Sequence, residues 1–471
     1  MSSDMANNVH IEKILQGDSD FAMPFDLTIN DDCYTCSEIL RLLPDKRLVV
    51  KAENNGQQLV IKLFVKSKKG ERELAREKRG YQLATQAGIN VPQLVFAVDN
   101  MQDYCAIAYR YLKNAKPFAN KKKTLSIHVD ELLHLTAKLH NFGIVQNDFH
   151  LGNILLVEED LYLIDLASVT GQEQGKSLDK ATSLANLAML VVQFKPKQQQ
   201  IMVNRLQQYY CARNWLFDAD EKSLFNKYVD KAWQKRKTNY FSKRFRNCTM
   251  TAYKKTFLQE YAFRRSFFED AGDEFINKID ELVSNGQILK AGNSATVVQV
   301  EYAGKKLVIK RYNIKSFWHF LKRCYRPSRA AISWRNGNLL QLLGVATPKP
   351  LGFIENRMGF FRKNAYLICE RSGGQEISTV YKYRSPTEDE LTQLKYMFKI
   401  FKKYQISHGD LKATNLLIKK KGKIQLIDLD VMQEHTSYKS FQDAFDKDKE
   451  RFIKNWLGSR IKEEITNLFS K

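Results

Sequence analysis

The chain is long and strongly basic, with an ordinary hydrophobic content. Its 471 residues exceed the roughly 50–200 residues of a typical domain, which excludes one small domain and predicts two or three. With 44% hydrophobic and 27% charged residues, the composition is that of a globular protein. The net charge of +23 predicts an anionic partner such as nucleic acid, a phosphorylated glycolipid or an anionic membrane surface. The alternative is a solvated, highly charged surface without a specific partner.

Cysteine usage and the lengths of apolar runs predict a cytoplasmic location. The seven cysteines are odd in number and scattered, which is typical of a reducing compartment and not of a disulfide framework. The first eight residues lack the basic-then-apolar pattern of a signal peptide. The longest apolar run, residues 184–194, is far shorter than the roughly 20 residues of a membrane-spanning helix. We therefore expect a cytoplasmic protein, or one placed peripherally on the inner side of a membrane.

Each half of the chain is predicted to begin with strands and to continue with helices. Alternating apolar and polar residues predict strands at 47–51, 59–65, 296–302 and 306–312. The breaks at residues 54–56 and 303–304 are typical of hairpin turns. Helices are predicted at 71–86 and 330–343, each followed by a glycine and then a proline. Strands followed by helices predict an α+β bilobal domain in each half.

Four sequence segments occur twice, in the same order. The pairs are 59–64 with 307–312, 88–92 with 344–348, 147–156 with 409–418, and 163–166 with 426–429. An ordered internal repeat of this kind indicates that the chain is a divergent duplication.

Each half contains, in the same order along the chain, a lysine, an aspartate, an asparagine and a second aspartate. The sets are Lys62, Asp148, Asn153 and Asp165, and Lys310, Asp410, Asn415 and Asp428. Phosphoryl transfer from ATP needs a lysine for the phosphates, carboxylate or amide oxygens for magnesium, and a carboxylate for the attacking hydroxyl. Taken singly, such residues are more often solvated lysines or capping aspartates. Asp-x4-Asn followed about a dozen residues later by Leu-Ile-Asp, found twice, predicts a protein-kinase-like fold.

Three further patterns lie in the second half. They are residues 408–418 with 426–430, residues 326–336, and the spaced motif Asp448-x-x-Arg-Phe-x-x-Asn-Trp456. Together they resemble the lipopolysaccharide kinases, bacterial enzymes that phosphorylate Kdo or heptose of the inner core. The resemblance covers most of residues 280–460 well and residues 45–190 more loosely. It implies ATP and Mg²⁺ as cofactors and a sugar hydroxyl of a glycolipid as the acceptor.

The resemblance also implies a role for each residue of the two sets. The lysines would contact the α- and β-phosphates, the first aspartates would orient or deprotonate the acceptor, and the remaining residues would hold magnesium. The catalytic residues would be Asp148 and Asp410, the phosphate-binding lysines Lys62 and Lys310, and the metal-binding residues Asn153, Asp165, Asn415 and Asp428.

The two halves depart from the family pattern in different ways. Glu77 stands where related kinases carry the glutamate that pairs with the lysine, whereas the same spacing in the second half reaches Ser333. The second half has Gly292 in a turn that could cover phosphate, whereas residues 43–46 of the first half contain no glycine. His408, before the second catalytic aspartate, is expected to support the loop structurally. We expect both halves to bind ATP and Mg²⁺, with the second half the stronger catalyst.

The predicted domains are a first kinase-like domain at residues 10–235, a basic linker or tail of that domain at 236–272, and a second kinase-like domain at 273–471. The favoured function is ATP-dependent phosphorylation of a sugar hydroxyl in the lipopolysaccharide inner core, at the inner face of the inner membrane. Its anionic surface is a second expected partner. The alternatives are a protein or small-molecule kinase, or one half acting as a regulatory or scaffolding pseudokinase. Nucleic acid is not expected as a partner, because no recognised nucleic-acid-binding motif occurs.

Overall fold

The computed structural model describes residues 13–15, 23–99, 101, 103–118, 122–171, 176–313, 327–359, 361–458 and 460–469. Arg326, the first residue of one family pattern, lies outside these ranges. Contacts within the chain divide it into two units, Met1–Gln234 and Lys235–Lys471. Within the described ranges, no helix combines the length and the apolar character needed to cross a membrane.

The first unit begins with strands and ends with helices. Its strands are β1 (Phe25–Ile29), β2 (Asp32–Leu43), β3 (Arg47–Asn54), β4 (Gln57–Val65), β5 (Leu94–Val98), β6 (Tyr104–Arg110), β7 (Lys116–Pro117), β8 (Ile144–Gln146), β9 (Ile154–Val157), β10 (Asp160–Leu163) and β11 (Val169–Gly171). Its helices are α1 (Lys68–Gln86), α2 (Lys122–Asn141), α3 (Lys180–Val191), α4 (Pro196–Asn204), α5 (Leu206–Ala212) and α6 (Ala219–Arg244), the last of which continues past the unit boundary.

The main sheet of the first unit is antiparallel and has the strand order β1-β2-β3-β4-β6-β5. The β3–β4 hairpin turns at Asn55 and Gly56, whose φ angles of 49° and 76° suit a two-residue hairpin loop. Alternate residues of this hairpin, including Val50 and Ile61, lie in the hydrophobic core. The predicted hairpin is therefore confirmed, because its turn chemistry and its alternation agree.

Helix α1 lies against the segment that carries Asp165. Its first turn is capped by Ser67, whose hydroxyl accepts a hydrogen bond from the backbone N–H of Gly70 at 3.0 Å. Gly80 faces the turn that follows Asp165, and a Cβ atom there would lie 2.0 Å from the carbonyl oxygen of Leu166. The close approach of helix and turn therefore depends on a residue without a side chain.

The second unit has the same general order of strands and helices. Its strands are β12 (Thr251–Lys255), β13 (Gln259–Arg264), β14 (Gln287–Gly292), β15 (Ala295–Tyr302), β16 (Lys305–Tyr312), β17 (Pro350–Met358), β18 (Phe361–Glu370), β19 (Gln375–Glu376), β20 (Ile406–Ser407), β21 (Leu416–Ile418), β22 (Ile424–Leu426) and β23 (Gln433–Glu434). Its further helices are α7 (Arg265–Asn277), α8 (Ile279–Asn285), α9 (Arg329–Leu343), α10 (Ile377–Tyr383), α11 (Glu388–Tyr404), α12 (Tyr438–Lys454) and α13 (Lys462–Thr466). The described residues thus confirm the predicted α+β class.

Five strands have the same order in the two main sheets. The order is β2-β3-β4-β6-β5 in the first unit and β14-β15-β16-β18-β17 in the second. Lys62 pairs with Val49 across the β3–β4 hairpin, and Lys310 pairs with Val297 across the β15–β16 hairpin. The repeated Leu-Val-Ile-Lys segment therefore occupies the same strand and register in each sheet. The sheets differ at their edges, where the first adds β1 beside β2 and the second adds the β12–β13 hairpin beside β17.

Residues 236–272, expected to form a basic linker or tail of the first domain, lie largely in helices and strands. This segment ends α6, forms β12 and β13, begins α7, and belongs to the second unit. Strand β13 pairs with β17 from Gln259 to Phe263, and the Phe263 ring lies over Gly352, where a Cβ atom would be 2.1 Å away. The many basic residues of this segment do not predict a strand. The apolar residues Tyr261 and Phe263 of β13 lie in the core because β13 pairs with the distant strand β17.

Replacing Gly80 by alanine is expected to destabilise the first unit. The added Cβ meets backbone atoms that can move only if α1 or the Asp165 turn shifts, and such overpacking typically costs about 1–3 kcal/mol. Urea denaturation followed by circular dichroism measures this loss. Gly292→Ala is the control, because its Cβ would make an ordinary 3.4 Å contact with the Ala295 oxygen. Equal losses in the two variants would contradict the interpretation.

Candidate active site

A cavity of about 710 Å³ lies in the second unit. This volume falls within the range of about 300–1,000 Å³ that is usual for ligand pockets. The apolar part of its wall includes Val297, Val308, Leu367, Leu417 and Leu429. Its polar part includes Ser294, Lys310, Arg329, Asn415 and Asp428. Three residues of the predicted second set, together with the Gly292 turn, therefore line one cavity.

A buried carboxylate fixes the position of Lys310 in the cavity wall. The Lys310 ammonium is paired with the Asp428 carboxylate and lies 3.4 Å from Oδ2 of Asp430. A guanidinium nitrogen of Arg329 lies 2.5 Å from the same Asp430 oxygen. Asp430 is only 2% exposed, so its charge needs these two cations as partners.

Asp430 supplies the negative charge that the sequence analysis did not find in the second half. Ser333, at the position of the expected glutamate, is buried, and its hydroxyl lies 3.0 Å from the Tyr312 hydroxyl. Ser333 thus provides no charge at this position, but the lysine has a buried carboxylate partner in Asp430. The sequence feature that could have indicated this partner is Asp430 itself, which follows Asp428 by two residues in the pattern 426–430.

The Asp410 loop holds the second candidate catalytic aspartate beside two cations. The side-chain amide of Asn415 donates a hydrogen bond to the Asp410 carbonyl oxygen at 2.8 Å. The Lys412 ammonium lies 2.8 Å from Oδ2 of Asp410, and Nε of Arg451 lies 4.0 Å from Oδ1. These contacts hold a partly exposed carboxylate at the end of the loop.

Asp448 on α12 fixes the backbone of this loop. Its buried carboxylate accepts hydrogen bonds from the backbone N–H groups of His408, Gly409 and Leu411 at 2.6, 2.9 and 3.3 Å. Hydrogen bonds from neutral donors to a charged acceptor are stronger than ordinary ones, so this single carboxylate orders the loop on both sides of Asp410.

The other polar residues of the C-terminal family pattern bind the same loop. Arg451 donates a hydrogen bond to the Gly409 carbonyl oxygen at 2.8 Å. The side-chain oxygen of Asn455 accepts a hydrogen bond from the backbone N–H of Ala413 at 2.6 Å. The spacing of the pattern therefore follows from α12 and the residue directly after it, which contact the loop at successive turns.

His408 has a structural position, as expected. The residue is fully buried, and its Nε2–H donates a hydrogen bond to the Ile427 carbonyl oxygen at 3.0 Å. Burial lowers the pKa of His408, although this hydrogen bond and the nearby Asp448 oppose the shift. The neutral imidazole joins the Asp410 loop to the segment that carries Asp428.

Asp428 is held ionised in an unusual backbone conformation. Its φ of 63° and ψ of 57° place it in the left-handed region, directly before a short 3₁₀ turn. Burial acts to raise the pKa of Asp428, but the charge and the hydrogen bond of Lys310 outweigh burial and lower it. Asp165 in the first unit has nearly the same conformation, with φ 59° and ψ 62°.

The donor chemistry of Asn415 and Asp428 suits a magnesium ion. Magnesium is usually bound through one or two carboxylates together with substrate phosphates, and amide oxygens are also suitable hard ligands. Asn415 uses its amide nitrogen to support the loop, so its side-chain oxygen is on the opposite side of the amide group. In the described ranges, no group of three or more His, Cys, Asp or Glu side chains could hold a metal ion. An Asp–Asn site completed by phosphate oxygens does not require such a group.

In the first unit, Lys62 has the predicted glutamate partner. Its ammonium lies 2.5 Å from Oε1 of Glu77 and 3.7 Å from Oδ1 of Asp165. Glu77 is fully buried, and it also accepts hydrogen bonds from the Tyr109 hydroxyl at 3.2 Å and the Ala167 N–H at 2.9 Å. Lysine, glutamate and aspartate are therefore brought together as the sequence predicts.

The Asp148 loop resembles the Asp410 loop only in part. Asn153 donates a hydrogen bond to the Asp148 carbonyl oxygen at 2.9 Å, as Asn415 does in its own loop. The Asp148 side chain is 66% exposed, and Nε2 of His150 lies 3.6 Å from its Oδ2 atom. The side-chain amide of Asn186 donates a hydrogen bond to the carbonyl oxygen of Gln146, two residues before Asp148, at 2.8 Å. This contact comes from a neutral side chain, whereas the charged Asp448 binds the Asp410 loop.

The match to known proteins concerns the second unit and indicates a phosphotransferase. Residues 281–457 match the model of the lipopolysaccharide kinase (Kdo/WaaP) family. The matched range contains Lys310, Asp410, Asn415 and Asp428, and the predicted resemblance is confirmed for this part of the chain. No curated protein matches the chain. The duplication of the kinase-like domain stays a prediction.

Asp430→Asn is expected to lower the free energy of unfolding of the second unit by about 3 kcal/mol, because removing one partner of a buried ion pair leaves charge uncompensated. Asp428→Asn is the matched comparison, since Asp428 is more exposed and pairs with Lys310 but not with Arg329 in the described structure. Urea denaturation of both variants at pH 7 measures the difference. A smaller loss for Asp430→Asn than for Asp428→Asn would contradict the assigned role.

Proposed function

We propose that the second unit transfers the γ-phosphoryl group of ATP to a sugar hydroxyl of the lipopolysaccharide inner core. The observation that carries this proposal is the placement of the Lys310–Asp428 pair and Asn415 around one cavity, with Asp410 on the adjoining loop. All four residues belong to the range that matches the lipopolysaccharide kinase family.

The cavity provides both an apolar and a charged region for the nucleotide. Val297, Val308 and Leu367 offer apolar surface that suits a purine ring. Lys310 would contact the phosphates, while Asn415 and Asp428 would hold Mg²⁺. The bound metal would neutralise part of the charge on the phosphate oxygens.

Asp410 is the proposed proton acceptor of the reaction. As the sugar oxygen forms its bond to the γ-phosphorus, the bond from that phosphorus to the β–γ bridging oxygen breaks, and ADP is released. The proton of the sugar hydroxyl passes to the Asp410 carboxylate. Lys412 and Asn415 hold that carboxylate and its backbone in place.

The charges around Asp410 favour an anionic acceptor. Lys412 and Arg451 are both partly exposed beside the carboxylate, and the chain as a whole carries a net charge of +23. An inner-core sugar bears carboxylates or phosphates near the reacting hydroxyl, so these cations support the family-based choice of acceptor.

We further propose that the first unit is a second kinase-like domain. The shared five-strand order, the Lys62–Glu77 pair and the left-handed conformation of Asp165 support this proposal. Asp148 is highly exposed and, among the described residues, forms no salt bridge with a lysine or arginine, and both features favour weaker catalysis than in the second unit, or a regulatory role.

Asp410→Asn is expected to lower kcat for glycolipid phosphorylation by about 10²–10⁴-fold, because the variant lacks the proton acceptor. Nucleotide binding should change little, since Lys310 and Asp428 are retained. The assay uses the full chain, ATP, Mg²⁺ and an inner-core acceptor that lacks the phosphate, with the product measured by mass spectrometry. Asp389→Asn, an exposed carboxylate at the start of α11, is the control. Wild-type turnover by Asp410→Asn would refute the assignment, and phosphorylation of protein but not glycolipid would refute the acceptor.

An exposed apolar surface supports peripheral binding to a membrane. Phe257 and Leu258, in the turn between β12 and β13, are each 67% exposed, and the nearby Met358 is 46% exposed. Backbone N–H groups of Arg357 and Gly359 donate to the carbonyl oxygens of Leu258 and Phe257, both at 2.8 Å. These bonds fix two adjacent turns that together present apolar side chains to solvent, as interfacial membrane anchors do.

The cations beside this surface favour an anionic bilayer as its partner. Lys254 and Lys255 are exposed at the end of β12, next to the apolar turn. Each basic residue near an anionic bilayer contributes roughly 1 kcal/mol of attraction. Arg244, in the segment that the sequence marks as basic, is only 4% exposed, and its guanidinium carbon lies 4.8 Å from the ring centre of Tyr240. Arg244 is therefore unsuitable as a membrane contact.

The variant Phe257→Ser/Leu258→Ser is expected to reduce co-sedimentation with vesicles that contain phosphatidylglycerol. Lys254→Ser/Lys255→Ser should also reduce it and should weaken its salt dependence, because exposed charge attraction is screened over about 8 Å at physiological ionic strength. Lys420→Ser/Lys421→Ser removes the same charge at another exposed turn and is the control. Equal effects of the two lysine pairs would show that net charge alone drives binding.

A further inference from the structure

Arg47 occupies a position in the first unit where the second unit has a small residue. It lies on β3, two residues before the strand partner of Lys62. The corresponding residue of the second unit, two positions before the strand partner of Lys310, is Ala295. Ala295 lines the 710 Å³ cavity. The arginine therefore replaces an alanine at a position that lines the proposed nucleotide site in the other unit.

The Arg47 guanidinium points toward the proposed metal-binding carboxylate. One of its terminal nitrogens lies 3.8 Å from Oδ1 of Asp165, and the Lys62 ammonium lies 3.7 Å from the same oxygen. The Arg47 side chain is only 11% exposed, and the ring centre of Phe64 lies 5.9 Å from its guanidinium carbon. Its Nε–H is buried and has no hydrogen-bond partner within the described structure. A donor group is thus held beside Asp165 without an acceptor.

In the second unit, the additional cation, Arg329, pairs with a carboxylate other than Asp428. Arg329 pairs with Asp430 at 2.5 Å, and this leaves Lys310 as the cation paired with Asp428 among the described residues. In the first unit Ala167 stands two residues after Asp165, so no second carboxylate is present at that position. The Asp165 oxygen consequently faces two positive side chains.

These charges do not fit a magnesium ion at Asp165. A lysine pairs with the corresponding aspartate in both units, and Lys62 is in addition neutralised by Glu77, so Arg47 is the charge that distinguishes the two sites. A divalent cation at Asp165 would have to share the Oδ1 atom with the Arg47 guanidinium, 3.8 Å away, and would be repelled by it. The Arg47 guanidinium suits phosphate oxygens, because arginine can donate two parallel hydrogen bonds to a phosphate group and keeps its charge at any physiological pH.

We infer that the first unit binds a polyphosphate group, such as that of a nucleoside triphosphate, without a metal ion, and that Arg47, beside Lys62, supplies the charge that a metal ion would otherwise contribute. This inference rests on the proposed kinase-like nature of the first unit. It makes the first unit a nucleotide-binding module whose occupancy is independent of Mg²⁺, in contrast to the second unit. The charge that neutralises the phosphates then comes from a side chain of the protein and not from a bound metal ion.

The test measures binding of the non-hydrolysable ATP analogue with an imido β–γ bridge to the full chain by calorimetry, in Mg²⁺ and in EDTA. Lys310→Ala weakens the second site, so that the first site is observed. Its affinity is expected to be nearly the same in both buffers. Lys62→Ala instead isolates the second site, whose affinity should fall sharply in EDTA. Inorganic tripolyphosphate as a competitor distinguishes recognition of the phosphates from recognition of the whole nucleotide.

Arg47→Ala in the Lys310→Ala background should lower the affinity in EDTA by about tenfold or more, the effect of losing hydrogen bonds to a charged group. Magnesium should then restore part of the binding, because alanine recreates the arrangement at Ala295. Arg47→Lys should give an intermediate loss. Arg41→Ala, an exposed arginine on β2, is the matched control and should change nothing. Thermal denaturation verifies that each variant is folded.

Three results would overturn the inference. They are loss of first-site binding in EDTA, unchanged binding in Arg47→Ala, and absence of first-site binding in either buffer. None of these results affects the proposed phosphotransfer by the second unit, which depends on Asp410 and is measured as turnover. Failure of the Asp410 experiment, conversely, would leave the metal independence of the first site open to the same binding test.

Discussion

The ion pair between a strand lysine and a buried carboxylate is the contact on which the candidate site of each unit depends. A lysine in the interior of a sheet is costly to bury unless an anion neutralises it. Glu77 does this for Lys62, and Asp430 contributes to it for Lys310. Glu77 accepts a hydrogen bond from Ala167, in the turn after Asp165, and Asp430 is itself part of the turn after Asp428. In each unit the ion pair therefore joins the sheet to that turn. The position of the lysine therefore fixes the relation between the sheet and the Asp165 or Asp428 turn.

The two units place this carboxylate on different elements, and their other charges differ accordingly. In the first unit it comes from α1, and Glu77 also accepts a hydrogen bond from Ala167 in the turn. In the second unit it comes from the turn itself, and Asp430 binds Arg329 at the start of α9. The helix and the turn are thus joined in both units, once through a backbone hydrogen bond and once through an ion pair. The first unit has Ala167 where the second has Asp430, and there Arg47 lies beside Asp165 itself.

Local patterns predicted the fold class and the members of each site better than they predicted the supporting contacts. The hairpin at Asn55–Gly56 and the Lys62–Glu77 pair follow from turn chemistry and from a fixed spacing. The β12–β13 hairpin was missed because its pairing partner, β17, lies about a hundred residues away in the sequence. The burial of Arg244 likewise has no signal in the sequence, because a charged residue in a basic segment gives no local sign of burial.

The sequence alone determined that the chain repeats a Val-Ile-Lys segment, an Asp-x4-Asn segment and a Leu-Ile-Asp segment, because each is a short run of neighbouring residues that needs no tertiary contact to be recognised. Tertiary structure decided which charges neutralise one another, because Coulomb attraction depends on distances that the spacing in the chain does not specify. Ser333 thus suggested an unpaired lysine, whereas folding brings Asp430 to within 3.4 Å of Lys310. Arg47 looked like an ordinary strand residue until the β3–β4 register placed its guanidinium 3.8 Å from Asp165.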